Sequence, residues 1–208
     1  MLLADDFFLL AHDERDARPR LSPRAVELGL AGAMLGELVL ERRVTVEGAL
    51  LSVVRWDPPA DALAHTTLAT VTSEPEHREV RTWLSYLGRT AVESVGQRLV
   101  RAGVMRQTQS RRLLKTVNRY LVNDLNLPAA RVLRLRRVLT GAEPMYVADA
   151  TVIGLAAATG LTRHVLWDGA PASVKQVHAA VRSLPPPFRD LVATVEEAVG
   201  DAVLAQRL

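Results

Sequence analysis

The segment from Leu21 to Arg43, LSPRAVELGLAGAMLGELVLERR, constrains the fold of this chain more than any other stretch. Ser22 is a suitable N-cap and Pro23 suits a first helical turn, so the segment is predicted to be a helix. The nine uncharged residues between Glu27 and Glu37 are too few for a bilayer span, which needs about 20. The pattern therefore predicts a central core helix rather than a transmembrane one.

Three glycines interrupt this helix at Gly29, Gly32 and Gly36. Each glycine in a helix interior costs up to about 1 kcal/mol relative to alanine. Together with two alanines they leave a surface that is nearly free of side chains. We therefore expect neighbouring helices to pack very closely against this surface.

Composition supports a helical core around that segment. Hydrophobic residues make up 49% of the 208 residues but aromatic residues only 4%, so Leu, Val and Ala must fill the core. We expect a mainly α fold: one helical domain spanning residues 1–208, organised around the central apolar Gly-rich helix, with one or two short β-hairpins. The chain has no cysteine, and Asp5 and Asp6 stand where a signal peptide would be cationic, so a cytoplasmic chain is expected.

Turn and stop signals divide the rest of the chain. Alternating apolar residues on both sides of Gly48 predict a first hairpin, and residues 104–117 predict a second, with a polar turn from Gln109 to Arg111. Gly88 is predicted to break the helical run 75–102 into two helices. The further predicted helices span residues 2–11, 61–72, 126–140, 146–159, 163–168, 173–183 and 189–206.

Positive charge is concentrated late in the first half and just beyond it. Between Arg98 and Arg137 there are eleven basic residues and one acid, Asp124, although the net charge of the whole chain is only +3. Such a separation is typical of a protein that meets an extended anion, either nucleic acid or a membrane surface.

Motifs for catalysis are not found. The five histidines lack metal-ligand spacing, and phosphate-binding glycine loops and nucleophile elbows are absent from the sequence. The acid pairs Asp5/Asp6 and Glu196/Glu197 are predicted to be solvated helix surface rather than a general acid and base. We therefore expect no enzyme activity, no cofactor and no metal site.

Two non-enzymatic functions fit the basic region. A helix, a glycine stop and a basic hairpin match the layout of a winged-helix DNA-binding protein, although no polar recognition helix precedes the hairpin. The same region fits a peripheral membrane protein, because arginines attract anionic headgroups while Leu113, Leu114 and Val117 offer apolar contact. The mixture of basic and apolar residues favours the membrane.

Several short motifs occur in a fixed order along the chain: LLADDFFLLAHD, the LS before the central helix, GLAGAMLGELVLERRVTVE, RLVRAGVM before the second hairpin and VLTGAEP after the basic helix. This ordered series resembles the bacterial branch of the Golgi phosphoprotein 3 family. The resemblance implies a mostly helical domain with a β-hairpin. It also implies the properties of the eukaryotic members, which bind phosphatidylinositol 4-phosphate, insert the hairpin into the membrane, self-associate and act as adaptors for glycosyltransferases.

The headgroup residues of that family carry over only in part. The tryptophan before the central helix is replaced by a stretch containing Pro23 and Arg24, and the basic position within the helix is Ala31. Of the two arginines spaced three apart on the later helix, the first is kept as Arg89 and the second is Val92.

The sequence therefore predicts a peripheral protein that binds anionic, phosphoinositide-like headgroups. Arg89, helped by Arg24, is predicted to lie near the headgroup, and the hairpin residues predicted to contact the membrane are Arg111, Arg112, Leu113, Leu114 and Lys115. Expected partners are an anionic phospholipid surface, a second copy of the chain through the hairpin, and membrane-protein clients, with nucleic acid as the alternative.

Overall fold

The computed structural model describes residues 1–112, 115–165 and 171–205. Within these residues the chain forms nine helices and two antiparallel two-stranded sheets, which confirms the predicted mainly α class. The helices are α1 (Leu3–Ala11), α2 (Pro23–Leu40), α3 (Ala62–Ser73), α4 (Val80–Arg101), α5 (Asn126–Leu139), α6 (Val147–Ala158), α7 (Thr162–Val165), α8 (Pro171–Arg182) and α9 (Pro186–Ala205). The strands are β1 (Val44–Glu47), β2 (Leu50–Val53), β3 (Met105–Arg112) and β4 (Lys115–Val122). In this part of the chain, no helix combines the length and apolar character needed to cross a bilayer.

Helix α2 lies at the centre of the hydrophobic core. Ser22 caps it by accepting a hydrogen bond from the Ala25 amide at 3.3 Å, and Pro23 occupies its first turn, as predicted. Every residue from 25 to 39 except Glu27 is buried, because α1, α3, α4, α6 and α9 all pack around this helix. Its apolar character on all sides is the signature of a fully enclosed helix.

The glycines of α2 allow these close contacts. A Cβ atom at Gly29 would collide with the Phe7 ring of α1, and one at Gly32 would lie 2.7 Å from a methyl group of Val195 in α9. The prediction that neighbouring helices pack against the small-residue surface is therefore confirmed. The contact area offsets the helix-propensity cost of the glycines.

Helix α4 is continuous, so the predicted break at Gly88 is wrong. Gly88 faces α2, where an added Cβ would lie at van der Waals contact, 3.4 Å from the carbonyl oxygen of Glu27. This glycine therefore lies in a contact between two helices rather than in a turn. The helix also begins at Val80 rather than at residue 75, because the preceding backbone pairs with the first hairpin: Leu51 donates to the Arg78 carbonyl at 2.7 Å.

The first hairpin, β1–β2, turns at Gly48, as predicted. Gly48 has a φ of +58°, which glycine adopts without strain, and its amide donates a 2.8 Å hydrogen bond to the Asp190 carboxylate of α9. Val44 pairs with Val53 and Glu47 with Leu50. The hairpin thereby covers one side of the core beside α9.

The second hairpin, β3–β4, begins directly after Gly103, whose φ of +71° ends α4. Met105 pairs with Val122, and the register continues to Arg112 opposite Lys115. The predicted turn from Gln109 to Arg111 is wrong, because these residues belong to β3. Their polar side-chain types are compatible with a strand whose pairing is set by backbone hydrogen bonds.

Candidate functional site

Arg98, the first cation of the basic region, is buried in the core and holds three carboxylates. Its guanidinium donates two 2.9 Å hydrogen bonds to Glu37, one of 2.9 Å to Asp5 and one of 3.1 Å to Asp61. Arg98 is only 7% exposed and Glu37 only 3%. This cluster joins α1, α2 and α4 to the start of α3, so Arg98 is unavailable to an external anion.

The electrostatics of this cluster follow from its burial. Burial raises the pKa of Glu37 above its ordinary value, against the opposing effect of Arg98. Burial alone would lower the pKa of Arg98, but hydrogen bonds and charge from Glu37, with Asp5 and Asp61, outweigh it and raise that pKa. A pair bonded this extensively is structural, since removing either partner would leave an uncompensated buried charge.

Several other cations of the basic region are also neutralised within the fold. Arg131 pairs with Asp6 at 3.2 Å, and Arg134 pairs with Asp149 at 2.9 Å and with Glu143 at 2.9 Å. The prediction that Asp5 and Asp6 form solvated surface is therefore wrong. Burial also raises the pKa of the Asp6 carboxyl.

The cations of the β3–β4 hairpin have a different environment. Neither strand contains an acidic residue, and together the strands carry Arg106, Arg111, Arg112, Lys115 and Arg119. Among the residues whose side chains the structure describes, no ion pair involves this hairpin, and Arg106 is exposed. Among the described side chains of the hairpin, Arg106 therefore keeps a positive charge that no acid of the strands neutralises.

Strand alternation divides the hairpin into two faces. The inner face packs on α4: Met105, Tyr120 and Val122 are buried. The outer face is defined by the alternate register positions Arg106, Thr108, Ser110, Arg112, Lys115, Val117, Arg119 and Leu121. Four of the five hairpin cations occupy register positions of this outer series.

The predicted membrane-contacting residues are distributed unevenly between these faces. Arg112 and Lys115 occupy paired positions of the outer face, whereas Arg111 occupies a position of the inner series. Leu113 and Leu114 lie outside the described residues. Sequence reasoning missed Arg106 and Arg119, which the two-residue alternation of the strands could have identified.

Helix α4 fixes the course of the hairpin. The Tyr120 ring lies over Gly96, where an added Cβ would be 2.6 Å from the ring. Gln97 bonds Gln107 at 2.8 Å, and Asn118 donates to the Glu93 carboxylate at 3.3 Å. The contact made by Gln107 in β3 is to residue 97 of α4, and the contact made by Asn118 in β4 is one turn earlier, to residue 93.

Arg89 lies on this same side of α4, four residues before Glu93, and is exposed. Residues four apart are neighbours on a helix surface, so Arg89 also lies next to Ser85. Arg24 of α2 donates to the Ser85 hydroxyl at 3.2 Å and to Glu27 at 3.2 Å. The structure thus places Arg24 of α2 in contact with Ser85 of α4, one helical turn before Arg89.

Positions 31 and 92, at which the resemblance implied a cation, differ in accessibility. Ala31 is fully buried within α2, and Val92 is half-buried on α4. Neither side chain can bind an anion. Any headgroup site in this chain must therefore rely on other residues besides Arg89.

One group of possible metal ligands lies apart from this surface. Ligand atoms of Glu74, Glu76 and His77 lie within 4.8 Å of one another, and all three residues are exposed. Exposed acidic groups commonly approach one another without binding an ion, and no other feature of the described residues indicates a ligand there.

Comparison with known proteins decides the family. A family model described as Golgi phosphoprotein 3 (GPP34) matches residues 3–206. The chain belongs to this family. None of the curated proteins compared with the chain matches it. Membership in the Golgi phosphoprotein 3 family confirms the resemblance of the ordered motifs, and it associates the chain with a lipid-binding adaptor role.

Proposed function

We propose that this chain binds anionic membrane surfaces peripherally, on the cytoplasmic side, through the outer face of the β3–β4 hairpin and the adjoining Arg89. It acts by binding rather than by catalysis. In this role it serves as an adaptor for membrane-protein clients, and copies of the chain self-associate through the hairpin.

The observation that carries this proposal is the contrast in charge compensation. Arg98, Arg131 and Arg134 have carboxylate partners within the fold, whereas the hairpin strands contain no acid and present Arg106 to solvent. A cation without a local partner is available to an anionic surface. The position of Leu121 in the same outer series adds an apolar side chain suited to the membrane interface.

The expected strength is that of reversible binding. Each cation near an anionic leaflet contributes about 1 kcal/mol, so four outer-face cations contribute about 4 kcal/mol. This corresponds to about a thousandfold preference for anionic over neutral vesicles. The preference should weaken as salt rises from about 0.1 M to 1 M, because the screening length falls from about 10 Å to about 3 Å.

Vesicle co-sedimentation tests the proposal with a matched pair of variants. The first variant replaces Arg106, Arg112 and Lys115 by glutamine. The second makes the same replacement at three exposed residues of α7 and α8, Arg163, Lys175 and Arg182. Both remove two arginines and one lysine, so their net charges are equal. We expect binding to phosphatidylserine vesicles to fall sharply for the hairpin variant and to persist for the control.

Equal losses in the two variants would show that net charge alone drives binding and would contradict the hairpin assignment. Sequence-selective binding of duplex DNA, in preference to anionic vesicles, would favour the winged-helix alternative. That alternative gains no support from α4, which is packed against α2, α3, α9 and the hairpin. Analytical ultracentrifugation of the hairpin variant tests self-association.

A further inference from the structure

A cavity of about 310 Å³ lies between α1, α5, α7 and the loop that joins α1 to α2. Its wall is apolar where α1 and α7 contribute to it, because Leu9, Leu10 and Val165 line it and each is buried. None of its lining residues belongs to the β3–β4 hairpin, and neither Arg24 nor Arg89 is among them. The cavity is therefore separate from the proposed membrane-binding surface.

Helix α5 gives this cavity both apolar surface and a cation. Ala129, Val132, Leu133 and Arg136 line it, and their spacing places them on one face of the helix. Ala129 contributes only a methyl group, and the Leu133 side chain remains 57% exposed. The recess thus retains apolar surface that an aliphatic group would remove from water.

The charged groups of the lining leave one cation uncompensated. Arg20 and Glu14, both in the loop between α1 and α2, form an ion pair with each other. Asp13 also approaches Arg20, at 3.5 Å, but does not line the cavity. Arg136 is exposed and has no carboxylate within ion-pair distance among the side chains that the structure describes. An anion that enters the recess therefore meets a cation without displacing an existing partner.

The backbone of α7 holds Arg136 at the cavity. A terminal nitrogen of its guanidinium donates to the Val165 carbonyl at 3.0 Å. A guanidinium has more N–H donors than this one bond uses, and they lie in one plane. A carboxylate matches that geometry, because its two oxygens accept parallel hydrogen bonds.

We propose that this cavity binds a medium-chain monocarboxylic acid, with its aliphatic chain against Leu9, Leu10 and Val132 and its carboxylate on Arg136. The proposal goes beyond the proposed function, because the hairpin takes no part in it. The cavity volume lies at the lower end of the range of about 300–1,000 Å³ that is typical of small-molecule sites.

The size and charge of the recess select this class of ligand. The lining part of α5, from Ala129 to Arg136, rises by only about 10 Å, which suits a compact molecule better than an amphipathic peptide helix. A single uncompensated cation balances a monoanion. Glu14 in the same lining repels a second negative charge, so a dianion gains less.

Isothermal titration calorimetry of the full chain tests the site with two probes, octanoate below its micelle concentration and its uncharged analogue octanamide. Ala129→Leu fills the recess, and Ala130→Leu makes the same change at an exposed position of α5 outside the lining. Arg136→Gln removes the cation. Arg137→Gln removes the next cation along the helix, which is exposed and does not line the cavity.

We expect wild type to bind octanoate at least about tenfold more tightly than octanamide, the usual size for a charged hydrogen bond. This preference should vanish in Arg136→Gln and persist in Arg137→Gln. Ala129→Leu should weaken binding of both probes by about fourfold for each methylene that it displaces, whereas Ala130→Leu should match wild type. From butyrate to octanoate, affinity should rise about fourfold with each added methylene.

Equal affinity for octanoate and octanamide in wild type would show that Arg136 does not recognise a carboxylate, and equal effects of Ala129→Leu and Ala130→Leu would place the chain elsewhere. Titration without saturation, with NMR shifts spread over the surface instead of at the Val132, Leu133 and Val165 methyl groups, would indicate detergent-like adsorption. Each of these outcomes overturns the proposal, as does the absence of octanoate binding. Thermal denaturation checks folding, and Arg136→Gln decides the test if Ala129→Leu does not fold.

Discussion

Arg98 and the arginines of the β3–β4 hairpin are close in sequence, yet the fold gives them opposite environments. Arg98 lies in the core among Asp5, Glu37 and Asp61, whereas Arg106 is exposed on a hairpin without acids. Along the sequence, Asp5 precedes Arg98 by 93 residues, Glu37 by 61 and Asp61 by 37. A count of charges along the sequence cannot distinguish a cation that stabilises the core from one that is available to a partner.

The largest expected effect tests the buried side of this comparison. Arg98→Met should lower the free energy of unfolding by about 3–5 kcal/mol, because it leaves Glu37 and Asp5 buried without a counter-charge. Arg101 is exposed at the end of the same helix and provides the control, because Arg101→Met should change the free energy of unfolding by less than about 0.5 kcal/mol. Chemical denaturation measures both, and equal small effects would show that the cluster is not structural.

The second prediction concerns the joint between the core and the hairpin. Gly96→Ala should cost about 1–3 kcal/mol, because the new methyl group overlaps the Tyr120 ring and pushes the hairpin away from α4. Faster hydrogen exchange of the β3 and β4 amides should accompany the loss. Gly200→Ala in α9, where an added Cβ meets nothing within 4 Å, should instead stabilise the chain slightly. A Gly96→Ala variant with unchanged stability and unchanged hydrogen exchange of the β3 and β4 amides would show that the Tyr120–Gly96 contact does not hold the hairpin on α4.

The third prediction separates the two regions by pH. His12 is buried against Phe8, and burial lowers its pKa below the ordinary 6.5, with nearby Arg20 adding to the effect. As the pH falls, His12 is therefore protonated in the unfolded chain before it is protonated in the folded chain. Its contribution to stability is fully present above pH 6.5 and is lost as the pH falls towards the lower pKa of the folded state. The slope can reach about 1.4 kcal/mol per pH unit.

The free energies of unfolding of wild type and His12→Gln, measured as the pH falls below 6.5, give the dependence of stability on pH. The His12→Gln variant should lack the loss that His12 causes. His65→Gln, an exposed substitution on α3, should leave it unchanged. The buried carboxyl of Glu37 and the half-buried carboxyl of Asp6 act in the opposite direction, because their raised pKa values cost stability as the pH rises. Vesicle binding through arginines should be nearly flat over the same range, and a parallel loss of binding would link the two regions.

The smallest effect on stability is expected on the hairpin itself. Arg106→Gln or Arg119→Gln should change the free energy of unfolding by less than about 0.5 kcal/mol, while lowering affinity for anionic vesicles by about fivefold. Denaturation and vesicle sedimentation of the same samples measure the two quantities. A loss of stability comparable to that of Arg98→Met would remove the distinction between the regions.

Local signals in the sequence predicted most element ends. Ser22 as a cap and Gly103, Gly141 and Gly160 as stops all act as expected, since capping and left-handed backbone depend on a few neighbouring residues. The break predicted at Gly88 is wrong because this residue packs against Glu27 of α2, which lies 61 residues earlier in the sequence. The candidate surface was predicted in part: Arg24 and Arg89 were named, but Arg106 and Arg119 of the outer series were missed.

The sequence by itself determined a helical fold around an apolar, Gly-rich helix, because composition and periodicity specify which faces must be buried. It also placed the chain in its family through an ordered series of motifs. Only the tertiary structure decided which charges are neutralised and which remain available, because the acids that pair with Arg98 come from distant segments of the chain. Coulombic and steric interactions depend on distance in space, and that distance is set by packing.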